Sequence, residues 1–134
     1  MIVIGHSEGK GRGIFACAPI AAGALIAEAP VVIVPAGEVA HLDRTSLADY
    51  YFEWGMDGKA AVLVLGACQL CNHAQDPNAV FVRNYEHLAI AFFARRDIAP
   101  GEEITIHYHG DPDSLEPVIF PERSQEKVRA DPRL

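Results

Sequence analysis

No stretch of this 134-residue sequence stays apolar for the roughly 18 residues that a membrane-spanning helix needs. The opening, MIVIGHSEGK, lacks a long apolar core followed by a small-residue cleavage site. These two lacks set the expected compartment as the cytoplasm, with no membrane partner and with export or targeting to a host nucleus left open. Cysteine is scarce as well: three residues are too few, and odd in number, for a disulfide framework, which agrees with a reducing compartment. Basic residues are outnumbered, 11 Lys and Arg against 18 Asp and Glu, and the net charge of −7 repels phosphate backbones. Direct nucleic-acid binding is therefore not expected, whereas basic ligands and basic peptide segments are attracted. There is no internal repeat and no low-complexity tract.

What is present suits one domain. At this length a chain buries roughly two thirds of its unfolded surface, and 50% hydrophobic with 22% charged residues is ordinary globular composition. Runs rich in Val, Ile and Phe predict strands over Ile14 to Cys17, Leu25 to Val34, Ala61 to Leu65, Ala79 to Val82, Leu88 to Ala94 and Ile104 to Ile106. Gly, Pro, Asn and Asp separate them in GKGRG, APIAAG, DPN, RNYEH and APGEE. A mostly β fold of small sheets follows. In SLADYYFEW, Leu47, Tyr50, Tyr51 and Trp54 have helical spacing, so a short helix and an irregular aromatic strand are both open. From Asp111 onward Pro and charge dominate, and the end reads as a short polar helix or a mobile tail.

Three groups of residues carry chemistry. In GKGRGIFA, Gly9, Gly11 and Gly13 alternate before an apolar strand, a backbone able to bend tightly and present N–H groups to a ligand. It matches neither G-x-G-x-x-G nor a phosphate loop, and alone it is a glycine-rich turn. CQLCNHAQDPN offers Cys68, Cys71 and His73, with Cys17 as a fourth zinc ligand, but zinc sites usually pair two such clips. Covalent haem needs His directly after the second Cys, where Asn72 stands, and a thioredoxin-like pair needs a helix where AQDPN signals a turn. No metal is expected, and the cysteines read as small buried hydrophobes at a strand end. Asn72 and His73, two polar side chains between an apolar segment and a turn, need partners wherever they are buried. The third group, GEEITIHYHGD, is a polar turn leading into a strand that ends at Tyr108.

Jointly and in this order, KGRGIFACAPIAAGALIAEAP, CNHAQDPNA and ARRDIAPGEEITIHY resemble the SET-domain family of protein-lysine methyltransferases, most nearly its small viral histone methyltransferases, which are little more than the bare domain. The likeness runs from the start to about Asp111; residues 112–134 form an uncovered tail, read as a short helix or lid. It implies a mostly β SET fold of several small curved sheets with a knot-like crossing near the C-terminus and little helix. It also implies S-adenosylmethionine as cofactor, a lysine-bearing basic protein such as a histone as partner, and a homodimer worth testing.

By the same resemblance, the backbone of Lys10, Gly11, Arg12 and Gly13 lies against the methionine end of the cofactor. Asn72 bonds that methionine part and the His73 backbone meets the adenine. Tyr108 is the catalytic tyrosine, Tyr50 an aromatic wall of the lysine channel, and Ile106 occupies a position that tunes methylation number. Tyr51 and Trp54 are further wall candidates, with core packing as their alternative. The chain departs from the family where Ala74 replaces a serine, Gln69 an arginine and Arg12 a tyrosine. The aromatic pair expected after the catalytic tyrosine falls near Pro112 and Asp113, leaving Leu115 or Phe120 as substitutes. Besides an active methyltransferase, a cofactor- or peptide-binding relative without turnover and a C-x-x-C redox or metal protein are the alternative functions.

Overall fold

Two sheets share one apolar interior in the computed structural model, which describes residues 1–108. β1 (Ile2–Ser7) and β2 (Gly11–Ala16) form an antiparallel hairpin whose register runs from Ile2 opposite Ala16 to Ser7 opposite Gly11. Gly9 and Gly11 close its turn with φ of 77° and 80°, a region that residues with a Cβ adopt at a cost. β9 (Glu103–Ile106) pairs antiparallel with β2, and the two-residue β6 (Asn72–His73) runs parallel to β9 on its other side. That parallel pair sets Asn72 opposite Thr105 and His73 opposite Ile106. It is the crossing of the chain's late part over an earlier segment.

The second sheet has the order β4 (Phe52–Trp54), β5 (Ala60–Val64), β3 (Leu25–Val34), β8 (Ala89–Ala94), β7 (Ala79–Asn84). β3 changes partner midway: Leu25 to Pro30 pair with β8, and Val31 to Val34 pair with β5. Pro30, which has no N–H to donate, stands at the changeover. Ile14, Ile104 and Ile106 from the first sheet and Val62, Ile90 and Phe92 from the second are fully buried together. Phe52 sets its edge against Phe81 and Phe92 at centroid distances of 5.0 and 6.1 Å, an arrangement that favours aromatic pairs.

The expected mostly β SET-type architecture is therefore present, with differences in detail. β1 was not expected, since Gly5 and the polar His6 and Ser7 break its apolar run. SLADYYFEW is neither a single helix nor a single strand: Ser46–Asp49 form a 3-10 turn and Phe52–Trp54 are β4. Thr45 caps the turn, its Oγ1 accepting the Leu47 N–H at 3.1 Å, and pairing with β5 takes over three residues past its end. Helix is otherwise confined to α1 (Val39–Leu42) and 3-10 turns at Ala36–Glu38 and Ala67–Leu70. Cys68 and Cys71 are buried in the core as expected, but in and just after that last turn rather than at a strand end. No helix among the described residues is long and apolar enough to cross a membrane. The expected tail helix or lid, with Leu115 and Phe120, lies outside the described residues.

Candidate active site

Asn72 ends up between two strands because β6 is too short to do anything but dock on β9. Its Nδ2 donates to the Arg12 carbonyl at 2.9 Å and to Glu103 Oε2 at 2.8 Å. Both amide donors are thus committed to the protein, and only the acceptor Oδ1 is left to meet a ligand donor such as an ammonium. Glu103 is held from its other oxygen by the Ser7 hydroxyl at 2.8 Å. Gly13 lies directly over this knot: a Cβ there would come within 2.5 Å of Glu103 Oε2 and 3.0 Å of Asn72 Nδ2. Glycine is required at this position by close approach, since its φ is not among the positive ones.

The other site residues converge on the same place. Lys10 donates through Nζ to the His73 carbonyl at 3.1 Å, tying the β1–β2 turn to β6. His73 Nδ1 accepts the Tyr108 N–H at 3.0 Å, so that nitrogen carries no proton. The His73 ring also stands edge-on to the buried His107, 4.7 Å between centroids, and 5.0 Å from the Tyr108 ring. Tyr108 is therefore positioned through its backbone and its ring together. Its hydroxyl turns toward the Cys71 carbonyl at 3.4 Å. Burial, reinforced by Cys71 and lesser contributions from Asp49 and Tyr50, pushes its pKa well above the ordinary tyrosine value, so the hydroxyl stays neutral at any working pH.

Tyr108, Tyr50, Asn72, Lys10 and Arg12 line one cleft, together with Asp49, Gln69 and Leu70. A second, larger cavity adjoins it, lined by Leu47, Leu63 and Leu65 and sharing Arg12, Tyr50, Gln69 and Leu70 with the first. Ile106 is elsewhere: it is fully buried in the core and is not among the residues lining either space. Tyr51 is pinned away by a 2.8 Å hydrogen bond from its hydroxyl to Asp43, and burial with that bond raises its pKa to about 12. Trp54 is buried and packs on Tyr85 with centroids 4.6 Å apart.

Three residues to which the sequence assigns no role in the site complete this arrangement. Gln69 accepts the Val64 N–H through Oε1 at 2.6 Å and donates through Nε2 to the Tyr50 carbonyl, fixing the segment that carries Tyr50. Asn78, buried in the D-P-N turn, donates to Glu102 Oε2 and to the Glu103 carbonyl, both at 2.8 Å, and accepts the Thr105 N–H at 2.9 Å. Asp49 presents a buried carboxylate to the cleft. The sequence signals among them were D-P-N, a turn whose Asn is well suited to bonding backbone, and Gln69 standing in place of the arginine that the resemblance implies. The two core cysteines share a hydrogen bond: it and burial push the Cys71 thiol upward, while the same bond holds Cys68 lower. Among the described residues no three His, Cys, Asp or Glu side chains are grouped to hold a metal ion.

Residues 11–109 match the SET domain family. The chain is 34% identical over 106 residues to a histone-lysine N-methyltransferase, H3 lysine-37 specific, of Schizosaccharomyces pombe, covering 78% of this chain and 71% of the relative. A Plasmodium falciparum protein described as a histone methyltransferase superposes with a TM-score of 0.66 at 27% identity, over 83% of this chain and 99% of that one. The Polycomb Repressive Complex 2 of Chaetomium thermophilum, in an autoinhibited conformation bound to S-adenosylmethionine, gives 0.65 at 27% identity over 80% of this chain, which spans only 15% of that chain. The chain belongs to the SET-domain family. It is an S-adenosylmethionine-dependent protein-lysine N-methyltransferase, and its substrate is a protein bearing a lysine. The cleft fits such a cofactor: an acceptor-only Asn72 oxygen suits an ammonium, and a tyrosine oxygen kept neutral suits a cationic sulfonium.

Proposed function

We propose that the chain methylates a lysine in a basic protein segment of the histone type, with the cleft around Tyr108 as the site of transfer. The observation that carries this is Tyr108 itself: a hydroxyl held neutral, on a residue fixed by His73, in one cleft with Asn72 and Tyr50. The net charge of −7 supports a basic partner, and the histone-specific name of the yeast relative supports that class. When bound, S-adenosylmethionine supplies an electrophilic methyl carbon on a sulfonium. The backbone of Lys10, Gly11, Arg12 and Gly13, with Asn72 Oδ1 and the His73 segment, would hold its methionine and adenine parts. Tyr50 forms the channel wall along which the lysine chain lies. Tyr108 would offer its oxygen to the polarised methyl through weak C–H···O contacts, without a full charge that would trap the cation. Orientation does most of the work, since holding amine and methyl in line turns a bimolecular reaction into an effectively unimolecular one. The amine, with a solution pKa of ~10.4, is stripped of its proton more readily in an aromatic channel beside a sulfonium.

Labelled-cofactor transfer to histones and to a broad basic protein mixture tests this. Wild type labels a lysine-bearing protein, and Tyr108→Phe abolishes labelling while cofactor binding stays largely intact. Cofactor binding without labelling of any basic protein would instead indicate an inert binding module. Sedimentation of the purified chain tests the homodimer proposed with this function.

A further inference from the structure

Both carboxylate oxygens of Asp49 are buried, and neither has a hydrogen-bond partner, although the residue lines the cleft that holds Asn72 and Tyr108. A carboxylate removed from water without a partner is strongly disfavoured, and one retained in a cleft calls for a cation to complete it. Of the two cations that line this cleft, Lys10 is given to the His73 carbonyl, and Arg12 makes no hydrogen bond to Asp49. Asp49 ends the 3-10 turn Ser46–Asp49 and directly precedes Tyr50, and Ser46, Leu47 and Tyr50 also border the cavity that adjoins the cleft. It thus belongs to the wall that carries the channel tyrosine, whereas the groups proposed to hold the cofactor come from the β1–β2 turn, β2 and β6.

We infer that Asp49 is the counter-ion of the substrate lysine's side-chain nitrogen, which rests on the lysine transfer proposed above. The lysine arrives as an ammonium, pairs with the carboxylate, and releases its proton to solvent water. As the nitrogen lone pair forms the new N–C bond and the C–S bond breaks with its electron pair on sulfur, positive charge moves from sulfur to nitrogen. A fixed carboxylate on the nitrogen side stabilises that shift more in the transition state than before it. The same carboxylate holds the proton on the incoming amine, so it leaves a pH signature.

The test compares wild type with Asp49→Asn, using one basic peptide carrying the target lysine and the same peptide with neutral norleucine in its place. Calorimetry in the presence of S-adenosylhomocysteine is expected to show the ratio of lysine- to norleucine-peptide affinity falling by roughly tenfold or more in the variant, as for other charge pairs that lose a partner. The midpoint of the rise of kcat with pH moves to lower pH in the variant, and its plateau drops. An unchanged affinity ratio with an unchanged midpoint overturns the assignment, as does misfolding of both Asp49→Asn and Asp49→Ser, which would give the carboxylate to the fold. Wild type that binds both peptides but transfers no methyl would sink the proposed function and not the pairing.

Discussion

The Asn72 side chain touches two strands at once, 2.9 Å from the Arg12 carbonyl of β2 and 2.8 Å from Glu103 Oε2 of β9. Replacement by Asp keeps the size and removes both donors, leaving an acceptor against a carbonyl and a second carboxylate against Glu103. Asn72→Asp is therefore expected to lower stability by about 2 kcal/mol or more, because a part-buried charge-assisted bond becomes a like-charge contact. S-adenosylmethionine affinity falls with it. Thermal unfolding and calorimetric titration check the pair of effects, and a variant with wild-type values in both would show that this junction does not shape the site.

Gln69 stands where many relatives in the resemblance carry arginine, yet it supplies something arginine lacks, an acceptor for the Val64 N–H. Gln69→Ala leaves that N–H and the Tyr50 carbonyl without their partner, at about 1–3 kcal/mol for an unsatisfied buried group. Gln69→Arg restores only the bond to Tyr50 and should fall between alanine and wild type. Because the clamp fixes the Tyr50 segment and not β2 or β6, the peptide KM should rise in Gln69→Ala while cofactor affinity changes little. Equal loss of both would show that Gln69 supports the whole cleft.

The strands legible in the sequence are those whose Val, Ile and Phe content is their own, and β3 spans Leu25–Val34 as that content predicts. β6 was not legible, because two residues become a strand only through pairing with β9, some thirty residues later in the chain. The same non-locality separates the site residues. Asn72, His73 and Tyr108 sit in motifs with a family resemblance, and the structure brings them together. Asp49 and Gln69 matter through what folds against them, the cleft in one case and the Tyr50 carbonyl in the other. Their neighbours in sequence say nothing of either. Ile106 shows the reverse limit: its place in a strand was legible, but which side of the strand meets the core was set by the second sheet.

Acid stability should report the turn that positions β9. Glu102 accepts the Ala99 N–H at 3.0 Å and the Asn78 amide at 2.8 Å, and these bonds hold its carboxyl below the usual range. Asp76 is lowered likewise, first by its 2.7 Å bond from Arg95 and then by Arg96. With folded pKa values below those of the unfolded chain, roughly 4, the stabilisation is complete above that pH and is lost as pH falls through the folded values. The melting temperature should therefore hold between about pH 7 and 5 and fall between about 4 and 2. Glu102→Gln cannot ionise, so its melting temperature should start lower at neutral pH and fall less steeply in acid. Parallel curves for variant and wild type across the acid range would mean that the Glu102 carboxylate contributes nothing to the fold.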